Sequence, residues 1–82
     1  FTKAIELNPK MVETYIYRGT LALSMNDNQR AIADCTRAIE MAPNAANAYW
    51  SRANAHARNG NTQQAALDQK KAIELDPTLA QN

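Results

Sequence analysis

Apolar side chains recur along this chain every three or four residues, the interval that keeps them on one face of a helix, and nowhere alternate as in a strand. Phe1, Ala4 and Ile5 begin the pattern, which predicts a helix over Phe1 to Leu7, stopped by Asn8-Pro9. Val12, Tyr15, Ile16, Gly19, Leu21, Ala22, Leu23 and Met25 predict a second helix from Val12 to about Met25, in which Gly19 allows close approach of another helix. Asn26-Asp27-Asn28 reads as a turn: Asn26 can adopt the left-handed conformation, and Asp27 or Asn28 can cap the helix that follows. That helix carries Ala31, Ile32, Cys35, Ala38, Ile39 and Met41 and stops at Pro43. A further helix is predicted over Ala46 to Arg58, bearing Tyr49, Trp50, Ala53 and His56. Asn59-Gly60-Asn61 makes the next turn, with Gly60 left-handed and Asn61 forming a capping box with Gln64. The last full helix spans Thr62 to Leu75 before Asp76-Pro77, and Leu79 to Asn82 would begin another. Lys70 with Glu74 and Arg37 with Glu40 stand one turn apart and support their helices weakly. Such short loops make neighbouring helices antiparallel.

The pattern is periodic. Ala4-Ile5-Glu6-Leu7-Asn8-Pro9 returns as Ala38-Ile39-Glu40-Met41-Ala42-Pro43 and, after the same interval again, as Ala72-Ile73-Glu74-Leu75-Asp76-Pro77. A period of about 34 residues points to stacked helix pairs. Within each period an aromatic is followed four positions later by a small residue, then by Ala, a further position, Ala and Pro: Tyr15, Gly19, Ala31, Cys35, Ala38 and Pro43, then Tyr49, Ala53, Ala65, Gln69, Ala72 and Pro77. On these residues the whole chain resembles tetratricopeptide repeats. The resemblance implies an all-α fold, an α-solenoid of antiparallel helix-turn-helix repeats with right-handed superhelical stacking. It divides the chain into the end of a preceding repeat (1–11), full repeats over 12–45 and 46–79, and the start of a truncated helix (80–82).

Two departures from the family's pattern carry structural expectations. Cys35 and Gln69 stand where a large aromatic is usual, which predicts thinner packing between units. Arg18 and Arg52 replace a leucine near a buried helix interface, and a buried charge needs a partner, so Arg18 is expected to pair with Asp34 and Arg52 with Asp68.

Composition narrows the function classes. The 82 residues carry nine Lys and Arg against eight Asp and Glu, interleaved, which leaves neither a basic stripe for nucleic acid nor an acidic tail. A chain of this size buries only about 60 to 65% of its unfolded surface, so modest stability is expected. The single cysteine cannot form an internal disulfide, which favours a cytoplasmic, reducing setting. No apolar run approaches the roughly 18 residues of a membrane span, so no membrane role is expected. The chain opens on Phe1 inside a repeat and reads as a piece of a longer protein.

No enzyme is expected. Cys35 falls on the packing face of its helix and His56 on the buried side of its own, poor places for a nucleophile and base. One Cys and one His do not make a zinc site, and two glycines make no phosphate-binding loop, so neither metal nor cofactor is expected.

The resemblance instead implies a protein-protein interaction scaffold whose first helices line a concave surface. Carried to the matching positions, that surface comprises Glu13, Ile16, Thr20, Leu23 and Ser24 from one repeat and Asn47, Trp50, Asn54, Ala57 and Arg58 from the next. Ile16 and Trp50 are the expected anchors for a peptide or partner segment, with Asn54 and Arg58 as polar trim. The clamp by which some family members hold an acidic C-terminal tail needs several cationic and amide donors, and here only Asn54 fits it well. The alternative is structural self-assembly: two full repeats leave apolar ends, which predicts a homo-oligomer formed end to end or by helix exchange.

Overall fold

The computed structural model describes residues 9–81. Among these it has four α-helices and no strand: α1 (Pro9–Ser24), α2 (Asn28–Met41), α3 (Ala46–Arg58) and α4 (Thr62–Leu75), followed by a 3-10 turn over Pro77–Gln81. The architecture is all-α, as the periodicity implies. The helix anticipated over Phe1 to Leu7 lies outside the described residues.

Both turns inside a helix pair close in the same way. Asp27 N–H donates to Ala22 O (2.8 Å) and Asn26 N–H to Leu23 O (3.0 Å); at the matching places of the next pair, Asn61 N–H donates to His56 O (2.8 Å) and Gly60 N–H to Ala57 O (3.2 Å). These are paired Schellman bonds, which need a left-handed residue just past the helix. Asn26 supplies it at φ 63° and Gly60 at φ 86°. The two caps that follow differ. Asp27 Oδ1 accepts from Arg30 N–H at 3.2 Å, so Asp27 caps α2. The capping box expected of Asn61 and Gln64 does not form: Asn61 makes no side-chain cap bond and turns its amide back to His56 Nδ1, 3.5 Å away.

The three prolines of the repeated motif take two roles. Pro9, read as a stop, is the first residue of α1, which therefore begins before Val12. Proline suits that place, because the first helical N–H has no partner anyway. Ala42 and Asp76, each preceding a proline, are extended (φ −143°, ψ 88° and φ −143°, ψ 89°), as the proline ring requires, and end α2 and α4. Beyond Pro43 the chain turns into α3. Beyond Asp76 its carboxylate accepts from Thr78 N–H (3.2 Å) and Oγ1 (2.6 Å), and a 3-10 turn forms where the start of another α-helix was expected.

α1 packs on α2, α3 on α4, and α3 bridges back to both α1 and α2. The core is built largely from alanine: Ala31, Ala38, Ala48, Ala55 and Ala72 are fully buried, and Cys35 is the largest fully buried side chain. Small residues let the backbones approach. A Cβ at Gly19 would stand 2.8 Å from Cys35 Sγ and 3.3 Å from Ala31 O, which explains the glycine as the point where α1 crosses α2. Ala22, Leu23, Ala31 and Ala55 form one cluster with Ile32 against it. Leu21 and Met25, part of the apolar pattern of α1, stay outside this core and are exposed.

Candidate partner-binding face

Glu13, Ile16, Thr20 and Leu23 are spaced three and four apart on α1, as are Asn47, Trp50 and Asn54 on α3, so each set makes one stripe. Two polar links hold the helices together. Thr20 Oγ1 lies 3.3 Å from Ser51 Oγ. Near the far end Arg58 donates through Nη1 to Leu23 O (3.0 Å) and to Asn26 Oδ1 (3.3 Å), placing a cation at the carbonyl end of α1, where the helix dipole favours it.

The expected binding residues divide accordingly. Glu13, Thr20, Asn47 and Asn54 are exposed, and Ile16 and Trp50 are half-buried. Ser24 and Ala57 are exposed as well. Leu23 is not available as a lining residue: at 7% exposure it belongs to the core cluster with Ala31 and Ala55. Arg58 straps α3 to the end of α1 as well as facing solvent. Trp50 borders a second feature, a cleft between α3 and α4 lined also by Ala53, Asn54, Ala57, Ala65 and Gln69.

Beneath this face lie the two expected ion pairs, and both are present. Asp68, 5% exposed, takes a bidentate grip from Arg52, with Nε to Oδ2 at 2.7 Å and Nη2 to Oδ1 at 2.9 Å. Arg52 also donates from Nη1 to Thr36 Oγ1 of α2 (3.2 Å), so the pair ties α3 to α4 and to α2 together. Hydrogen bonding to Asp68 raises the Arg52 pKa above its already high value. His56 Nε2 stands 3.7 Å from Asp68 Oδ2, and the Arg52 guanidinium lies over the Tyr49 ring at 5.8 Å. The Arg18–Asp34 pair is looser, with Nη2 to Oδ1 at 3.8 Å and Arg18 half exposed over the Tyr15 ring. On the outer surface Arg37 and Glu40 approach to 3.8 Å.

Cys35 is fully buried. Burial, reinforced by the nearby Asp34 charge, pushes its thiol up to about 11, so it stays protonated and is a poor nucleophile. No group of three or more metal-ligating side chains occurs among the described residues. None of the described helices is long and apolar enough to cross a membrane.

Thus two helix pairs share one repeat register, matched Schellman turns and matched Arg–Asp pairs. A family model described as tetratricopeptide repeat matches residues 18–80, well over half the chain. The chain belongs to the tetratricopeptide-repeat family. None of the curated proteins compared with it matches. Tetratricopeptide repeats generally mediate protein-protein interaction and are typically non-enzymatic scaffolds. Reading the sequence for this face missed two things, the burial of Leu23 and the role of Ser51. The signal for both was available: Leu23 and Ser51 lie one on each side of the α1–α3 contact in the repeat register, where two helices must meet closely.

Proposed function

We propose that this chain binds an extended peptide or partner segment across the face shared by α1 and α3, with Ile16 and Trp50 as apolar anchors and Glu13, Thr20, Asn47 and Asn54 supplying polar contacts. The observation that carries this reading is the combination of the exposed amides and hydroxyl of Asn47, Asn54 and Thr20 with the half-buried Ile16 and Trp50 on two helices already held in register. Side-chain amides can both donate to and accept from a peptide backbone, so the face suits an extended segment. It lacks the converging cations that a terminal carboxylate or a phosphate backbone would need, since Arg58 already bonds Leu23 O and Asn26. The preferred partner is therefore protein, and not nucleic acid or membrane. In this reading the repeats run over 12–45 and 46–79, and the chain needs no cofactor.

The test is selection of binders from a displayed random peptide library, followed by affinity measurement on variants. Asn54→Ala and Asn47→Ala should each weaken the selected peptide by about three- to tenfold, the loss of one or two hydrogen bonds. Glu40→Ala, on the outer side of α2, should leave affinity unchanged. Selected peptides that bind both asparagine variants as tightly as the parent would exclude this face.

A further inference from the structure

Among the asparagines of the chain, Asn59 alone precedes a glycine. That pair carries a chemistry of its own. The backbone nitrogen of Gly60 can attack the side-chain carbonyl carbon of Asn59, because glycine has no Cβ to obstruct the approach. A carbon–nitrogen bond forms and closes a five-membered imide, while the side-chain amide nitrogen leaves as ammonia with the proton that the Gly60 nitrogen gives up. Water then opens the imide, its hydroxyl going to a carbonyl carbon and its proton to the ring nitrogen. Cleavage of the new bond leaves aspartate; cleavage of the old peptide bond leaves isoaspartate, in which the chain runs through the side-chain carbons. In sum, one amide and one water become one carboxylate and one ammonium, with no change of oxidation state.

The native turn holds this chemistry off. Asn59 ends α3 at φ −88° and ψ 2°, and Gly60 follows at φ 86°. Ring closure needs the Gly60 nitrogen to eclipse Cβ of Asn59, roughly a third of a turn about ψ from that value. Gly60 N–H is also engaged with Ala57 O at 3.2 Å, and the rotation breaks the bond from Asn61 N–H to His56 O at 2.8 Å as well. The reaction therefore waits for the turn to open. Little holds it shut: every residue from 57 to 64 is exposed, and Asn61 makes no cap bond to α4. An open depression lined by Gly60, Asn61, Thr62, Gln63 and Gln64 gives water access. The first turn differs throughout, with Met25 in the place of Asn59, Asp27 capping α2 and Arg58 bonded to Asn26.

We propose that Asn59 is a site of spontaneous deamidation, with water as the co-reactant and local opening of the α3–α4 turn as the gate. Either product puts a carboxylate at the carbonyl end of α3, where the helix dipole opposes it. Isoaspartate also adds a carbon to the backbone between Asn59 and Gly60, so the paired bonds to Ala57 O and His56 O fall out of register. The Arg52–Asp68 clamp keeps α4 on α3, and the change stays in the turn. Asn59 lies outside the proposed peptide face, so the inference stands apart from that reading.

Incubation of the folded 82-residue chain at neutral and mildly alkaline pH, followed by proteolysis and tandem mass spectrometry, tests it. The expected result is an amide-to-acid mass gain at Asn59 ahead of every other asparagine, faster at the higher pH because the attacking nitrogen must lose its proton. Labelling by an isoaspartyl carboxyl methyltransferase should register isoaspartate at the same site. The chain held unfolded in urea should convert severalfold faster than the folded chain. Gly60→Asn keeps a left-handed residue of the kind Asn26 provides in the first turn, yet crowds the attacking nitrogen, and should slow conversion severalfold. Asn61→Asp gives the second turn the capping side chain that Asp27 gives the first, and should slow the folded chain about three- to tenfold without altering the rate in urea. An Asn59 that stays intact in the folded chain while the unfolded chain converts would overturn the inference. Equal rates in the folded and unfolded chain, or an Asn61→Asp rate equal to the parent's, would overturn the gate. Aspartate without isoaspartate would overturn the imide route.

Discussion

The Arg18–Asp34 and Arg52–Asp68 pairs occupy the same places in successive helix pairs, yet one is loose and the other clamped. Arg52 grips Asp68 with two bonds of 2.7 and 2.9 Å, whereas Arg18 comes no nearer to Asp34 than 3.8 Å. The difference lies in what stands beside each arginine. Thr36, on the preceding helix α2, bonds the spare Arg52 nitrogen and helps hold the guanidinium flat against Asp68. Among the described residues no hydroxyl bonds Arg18 in this way. Asp34 accordingly keeps one buried oxygen, Oδ2, without a partner among them. Equivalent residues in a repeat protein thus acquire different energies from their neighbours, and the α3–α4 pair is locked by the pair before it.

Substitution of the two arginines breaks this comparison most sharply. Arg52→Ala leaves Asp68 charged and buried without its cation, and should cost about 3 kcal/mol in urea unfolding. Arg18→Ala removes a half-exposed, longer contact and should cost about 1 kcal/mol or less. Equal costs would mean that Thr36 contributes nothing to the clamp.

The helix crossing gives the next largest contrast. Gly19→Ala places a methyl 2.8 Å from Cys35 Sγ and 3.3 Å from a backbone carbonyl that cannot swing away. It should cost about 1 to 3 kcal/mol by forcing α1 off α2. Ala53 already holds the equivalent site in α3, where Gln69 replaces Cys35 and Ala65 replaces Ala31. Thermal melts of Gly19→Ala, alone and with Cys35→Ala, measure how much of the strain is the sulfur and how much the carbonyl.

Between the two turns the expected difference is smallest. Asp27→Ala removes a side-chain cap and should cost about 1 kcal/mol. Asn61→Ala removes only a 3.5 Å contact to His56 and should cost a few tenths. Chemical denaturation of the two variants compares them directly.

Much of the fold was legible from the repeat period. It predicted α3 and α4 residue for residue, the left-handed Asn26 and Gly60, and both Arg–Asp pairs. What escaped depended on local competition that a repeat pattern averages away. Pro9 could end one helix or begin the next, and the free choice of its missing N–H decided for beginning. Asn61 and Asp27 share a register position, but only Asp27 turns to its helix; Asn61 has His56 within reach. Asp76 captures Thr78, which Ala42, its counterpart, has no side chain to do. For the binding face, spacing along the helices identified the stripe, but burial depends on which helix lies alongside. Leu23 is covered because α3 follows it, and Ala57, its counterpart in α3, is exposed.

The most direct test of the proposed binding role is an NMR titration of the isotope-labelled 82-residue chain with a library-selected peptide, followed through backbone amides and the Trp50 indole. The account predicts that the largest shifts fall on Glu13, Ile16, Thr20, Asn47, Trp50 and Asn54, with Ala65, Gln69 and Ile73 of α4 little changed. Shifts centred on α4, with Glu13 and Asn47 unmoved, would contradict it and place the peptide in the α3–α4 cleft instead.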